Sequence, residues 1–155
     1  MENAIITSNK ASNRLINMYK LITINEHINY LEMLKLLKCK TKYIEYVIVD
    51  EEDTRIADKF NQDIVLEKSV NKWWGTKTSQ KCKLYRIKAS NELFSYLKKF
   101  ETFCIMKCNQ WGDVAQYTDF GINDIAFFDD KNEPILYTTT HEGYIELRND
   151  IKYSK

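Results

Sequence analysis

The sequence has little of what breaks a chain: one proline and four glycines in 155 residues. That scarcity excludes collagen-like repeats, proline-rich spacers and Gly/Ser linkers. No apolar run approaches the roughly 20 residues that a membrane-spanning helix needs. The opening MENAIITSNKASNR lacks the basic stretch and following apolar stretch of an export signal. The expectation is a polar, frayed tail over residues 1–14, then a single domain over residues 15–150 that stays in the cytoplasm. Its four cysteines, Cys39, Cys82, Cys104 and Cys108, are then expected to be reduced thiols. Also missing are a phosphate-binding glycine loop, a Gly-x-Ser-x-Gly elbow and a His-Glu-x-x-His helix. No cofactor and no metal are expected.

What is present is a globular composition, 44% hydrophobic and 29% charged. A chain of this size buries about 70% of its unfolded surface, enough for a core without a disulfide or metal.

Hydrophobic spacing then divides the chain. Leu15 to Ile24 reads as an edge strand. Asn25 is placed to cap a helix whose Tyr30, Met33, Leu34 and Leu37 share one face. Tyr43 to Val49 is apolar on both faces and reads as an interior strand, and a short helix is expected around Arg55 to Phe60. Leu66, Ser69, Val70 and Trp73 suggest a helix opened by Asp63 and closed by Gly75, with TKTSQK as a loop behind it. Leu84 to Lys88 alternates like a half-buried strand. Ser90 is expected to cap a helix bearing Leu93, Tyr96, Leu97 and Phe100. Thr102 to Lys107 reads as a strand and Asn109 to Gly121 as a loop. Asp124 to Phe128 and Ile135 to Thr140, joined by DDKNEP, predict a β-hairpin, and Tyr144 to Leu147 a last strand. The sum is an α+β fold, one mixed or mainly antiparallel sheet with helices packed on it.

Charge is unevenly spread. Residues 68–107 hold ten Lys or Arg against Glu92 and Glu101, whereas residues 109–150 hold nine Asp or Glu against Lys131 and Arg148. The net charge of +1 conceals the split. One reading is two neighbouring segments that neutralise each other. Another is an acidic patch of Asp113, Asp119, Asp124, Asp129, Asp130, Glu133 and Glu142 that meets a basic partner and speeds its arrival. A third places nucleic acid on Lys72, Lys77, Lys81, Lys83, Arg86 and Lys88, with Trp73 and Trp74 as stacking surfaces. The near-neutral total charge disfavours that third reading.

Few residues carry chemistry. His141 followed by Glu142 ends a run of three threonines; with Asp124 or Asp119 nearby it would suit a general base. Adjacent residues on a strand face opposite sides, so His141 and Glu142 are not expected to act on one atom. A histidine that merely satisfies a hydrogen bond at a sheet end is the plainer alternative. Cys104 and Cys108 have a zinc-like spacing, but residues four apart on a strand lie ~13 Å apart and cannot share one ion. Trp73 is expected in the core, and Trp74 half exposed, as a partner anchor or a cover over a core edge.

The segments WWGTKT, LYRIKASNELFSYLKKFETF, TDFGINDIAFFDD and TTTHEGYIEL, taken in this order, resemble a group of small uncharacterised bacterial proteins. The resemblance spans roughly residues 70–147 and assigns no catalytic residue. The combined expectation is a non-catalytic protein-interaction domain of immunity or antitoxin type. Its partner-binding face would comprise Trp74, Asp119, Asp124, Asp129, Asp130, Glu133 and Glu142, opposed to a basic protein such as a toxin. A small enzyme centred on His141, Glu142 and Asp124 and a nucleic-acid binder using residues 68–88 are the alternatives.

Overall fold

A computed structural model describes residues 18–109 and 112–153, without the side chains of residues 107–109, 113 and 114. The predicted tail over residues 1–14, Trp111, the Cys108 thiol and the Asp113 carboxylate lie outside the described residues.

The interior strand expected from its two apolar faces is β2 (Tyr43–Ile48), flanked by β4 (Thr76–Lys88) and β7 (Asp124–Phe128). Around it runs a seven-stranded sheet in the order β1-β9-β8-β7-β2-β4-β3, with every pairing antiparallel. The remaining strands of that sheet are β1 (Tyr19–Ile22), β3 (Ile64–Trp73), β8 (Pro134–Thr139) and β9 (Tyr144–Arg148). A separate hairpin pairs β5 (Ile105–Asn109) with β6 (Gly112–Gln116). The helices among the described residues are α1 (His27–Lys40), α2 (Arg55–Lys59) and α3 (Asn91–Leu97). The fold is α+β, as the sequence pattern predicts.

One sheet face packs on the helices. Alternation along β2 turns Ile44, Tyr46 and Ile48 to that side, beside Ile125 and Phe127 of β7 and Ile87 of β4. Tyr30, Met33, Leu34 and Leu37 of α1, all buried, close over them. Ser90 caps α3 as expected, its Oγ accepting the Leu93 amide at 3.1 Å. Tyr30 joins α1 to α3 by donating its hydroxyl to the Leu97 carbonyl at 2.6 Å. Asn25 does not cap α1. The cap position falls on Glu26, and Asn25 instead grips Met106, accepting its amide and donating to its carbonyl, each at 3.1 Å.

The expected helix over residues 63–73 is a strand. Ile64–Trp73 pairs along β4, and the expected TKTSQK loop is the first half of that partner. Trp74 and Gly75 form the turn, since Trp73 faces Thr76. The register shifts between Val70 and Lys72. This bulge moves Trp73 onto the same side as Val70, two odd-spaced positions that alternation alone would separate. The strand expected at Thr102–Lys107 begins at Ile105, and the expected loop over 109–121 contains β6.

β2 accompanies β4 only over Lys83–Lys88. Beyond that point the β3–β4 hairpin turns back across the second sheet face. Its tip lands on β7 and β8: Trp74 lies 6.4 Å from Tyr137, ring to ring, and a side chain on Gly75 would start 3.1 Å from Thr139 Oγ1. Glycine leaves room there for the close approach. The hairpin thus covers two small aromatic clusters, one of Val47, Trp73 and Leu84 and one of Tyr19, Ala126, Phe128 and Tyr137.

Candidate functional site

Three of the segments singled out in the sequence converge under this hairpin tip. β7 is interior, so Asp124 at its start points into the second face, between Val47 of β2 and the ends of β8. It has no exposed surface. A buried carboxylate needs donors, and WWGT and TTTHEG supply them. Trp73 Nε1 donates to one oxygen at 2.7 Å and the Thr140 amide to the other at 2.8 Å. Burial nevertheless outweighs these donors and pushes the Asp124 carboxyl above its ordinary value, while the donors and His141 pull the other way. Thr140 Oγ1 continues the chain to Thr138 Oγ1 at 2.9 Å, whose own hydroxyl faces the Ile125 backbone.

His141 and Glu142 are close by in sequence but not in environment. Residues 140–142 form a 3₁₀ turn, not a strand end, so the two side chains sit on one side, with Nε2 and Oε1 3.7 Å apart. This corrects the opposite-face expectation. Both are about half exposed, whereas Asp124 is enclosed. The three expected catalytic candidates therefore stand in different surroundings: one carboxylate has both oxygens occupied inside the protein, and the other two groups stand in solvent. Gly143 ends the turn with φ 75° and lies under Met106 and Ala115 of the β5–β6 hairpin.

Cys104 is buried, and desolvation, reinforced by Asp124, raises its thiol to about 12. Such surroundings favour the protonated thiol. Among the described residues no group of three His, Cys, Asp or Glu is disposed around a common metal position.

The expected partner-binding residues scatter. Trp74 is half buried; it leans on Tyr137 and its indole reaches Glu45. Glu45 is pushed upward by burial, against Arg86 at 3.7 Å. Asp119 accepts the Glu101 amide at 2.7 Å on the helix side of the fold. Asp129 is turned inward to the β7–β8 turn. It accepts the Lys131 and Glu133 amides at 2.9 and 3.0 Å and the Arg148 guanidinium at 2.8 Å. Arg148 in turn holds Asp150 at 2.7 Å and comes within 3.9 Å of Glu133. Of the set, Asp130, Glu133, Glu142 and, on the helix side, Asp119 are exposed. The first two rim a groove of about 870 Å³ whose other charged walls include Lys40, Lys42, Lys131 and Arg148. Acids and bases are interleaved there, and among the described residues the acids counted from the sequence do not form one acidic face.

Sequence reasoning missed two residues. Asn123 is fully buried and uses every valence of its amide. Its oxygen accepts the Val49 and Asp50 amides at 2.8 and 2.9 Å, and its nitrogen donates to Tyr46 Oη at 3.1 Å and Asp53 at 3.0 Å. A signal existed: an Asn-Asp pair opening an all-apolar strand has only the interior to enter. Arg148 is the other, the single base of the last strand, set among three carboxylates.

Comparison with protein-family models, with curated proteins and with solved structures found no match.

Proposed function

We propose that the chain is a non-catalytic protein-interaction domain, of the kind that immunity and antitoxin proteins represent, and that it engages a basic element of another protein at the β7–β8 turn. The observation that carries this reading is the internal wiring of that turn. Asp129 spends its carboxylate on two turn amides and on Arg148, and Asn132 adopts φ 62° to close the loop. Asp130 and Glu133 are thereby held outward on the groove rim before any partner arrives. A preorganised rim loses little conformational freedom on binding. The acidic surface of the proposal is accordingly narrower than the sequence implied. It consists of Asp130 and Glu133, while Asp124 and Asp129 act as internal supports.

Capture from a lysate of the source organism tests this, at about 50 mM and again at about 500 mM salt, where exposed charge pairs are screened. The expected result is a partner held at low salt, released at high salt, and absent with the D130K/E133K double variant. No partner at low salt, or one indifferent to the charge reversal, refutes the proposal.

A further inference from the structure

We infer that the convex face of the β3–β4 hairpin docks on the phosphate backbone of a nucleic-acid duplex. The surface lies near the hairpin tip, at the Asp124 end of β7, whereas the Asp130–Glu133 rim follows the Phe128 end. Three lysines define it. Lys72 and Lys77 are direct cross-strand partners, both exposed. Lys81, also exposed, lies four residues further along the same strand, within the register shift against β3. Lys83 further along is neutralised by Glu67 at 2.8 Å, but among the described residues none of the other three has an ion pair.

Like charges placed directly opposite each other weaken a strand pair. Here the pair is also held in place, because the next residues on both strands are committed to the opposite side: Trp73 is bonded to Asp124 and the turn lies against Thr139. The two backbone positions are therefore fixed opposite each other, and a phosphate set between the two lysines answers both charges.

The kind of anion follows from where the rings are. Single-stranded nucleic acid is held by stacking bases on aromatic side chains. Both tryptophans of the hairpin are turned to the concave side, Trp73 into the core and Trp74 onto Tyr137. The convex side keeps charge without rings, which suits phosphates and not bases. A two-stranded ribbon is also among the shapes that the major groove of a duplex, ~12 Å wide, admits. Lysine contacts to phosphate position a protein on the duplex without reading its sequence.

Fluorescence anisotropy with a labelled duplex of arbitrary sequence, titrated between about 50 and 200 mM salt, tests the inference. With three lysines on phosphates, the log–log salt slope is expected near −2.7, roughly a 40-fold loss of affinity over that range. K72A alone should lower the slope by about 0.9, and K72E/K77E/K81E should abolish binding. All three positions are exposed, so unchanged near-ultraviolet circular dichroism is the control for folding. D130K/E133K should not weaken duplex binding, which separates this surface from the proposed protein rim. The inference is overturned by no duplex binding at the lowest salt, by binding that survives the triple reversal, by a clear preference for single strands, or by tighter binding of polyglutamate than of duplex.

Discussion

Replacing Trp73 by Phe is the most direct probe of the hairpin latch. The ring stays roughly the right size for the cluster with Val47 and Leu84, but the indole N–H that reaches Asp124 at 2.7 Å is removed. Asp124 has no exposed surface through which water could replace it. Losing a hydrogen bond to a charged group costs about 1.5–3 kcal/mol. In a domain of this length that corresponds to a fall in Tm of about 3–12 °C. Urea denaturation at pH 7, followed by far-ultraviolet circular dichroism, measures it. The sign with pH is fixed by the raised carboxyl of Asp124. Because its folded pKa lies above the unfolded one, ionisation opposes folding: stability is highest below the unfolded pKa and falls as pH rises through the folded pKa. Removing a donor to the charged form raises the folded pKa further. The deficit of W73F should therefore be small at acid pH and grow as pH rises. A W73F protein within about 0.5 kcal/mol of wild type at pH 7, or a deficit that shrinks with rising pH, refutes the latch.

Asn123→Ala deprives the Val49 and Asp50 amides of their acceptor and Tyr46 of its partner. At about 1–3 kcal/mol for each group left unsatisfied, a loss of at least about 2 kcal/mol in urea denaturation is expected; less than about 1 contradicts the hub role. Gly143→Ala places a methyl 2.8 Å from Met106 Cε in a residue with φ 75°. Left-handed backbone alone costs a non-glycine residue about 1–2 kcal/mol, so destabilisation should come with a shifted Met106 methyl resonance, and an unmoved resonance argues against the contact. The Arg55 guanidinium beside Asp53 holds its carboxyl below the usual range. The stabilisation this gives is present above the unfolded pKa of about 3.9 and is lost as pH falls through the lower folded value. Arg55→Ala should therefore flatten the acid side of the Tm–pH curve, and parallel curves refute the pairing.

Elements whose side chains report only on local packing were legible in the sequence. The α1 face, the Ser90 cap and the β7–β8 hairpin each rest on spacing within a few residues, and the structure keeps all three. β3 was not legible, for a specific reason. Leu66 and Val70 share a sheet face by alternation, and the bulge after Val70 adds Trp73 to that face. The resulting 66-70-73 spacing is the same one a helix produces. Only the partner strand distinguishes them, and that partner follows Gly75, which suits a helix end as well as a tight turn. The candidate site failed in part for a related reason. Asp124 counted as surface charge because carboxylates usually are, yet its strand lies between β2 and β8 and its donors come from residues 51 positions before and 16 after. Three threonines in a row read as a strand end at His141, whereas residues 140–142 form a 3₁₀ turn that sets His141 and Glu142 on one side.

Of the three tryptophans in the chain, two belong to the hairpin tip and neither touches the helix-side core cluster. Intrinsic fluorescence of this protein is therefore weighted toward the lifting of one flap, and far-ultraviolet circular dichroism toward the melting of helices and strands. Local opening carries its own free energy, below that of global unfolding. Emission that changes ahead of ellipticity during denaturation would mark the flap as a separately opening unit, and coincident curves would mark flap and sheet as one cooperative body.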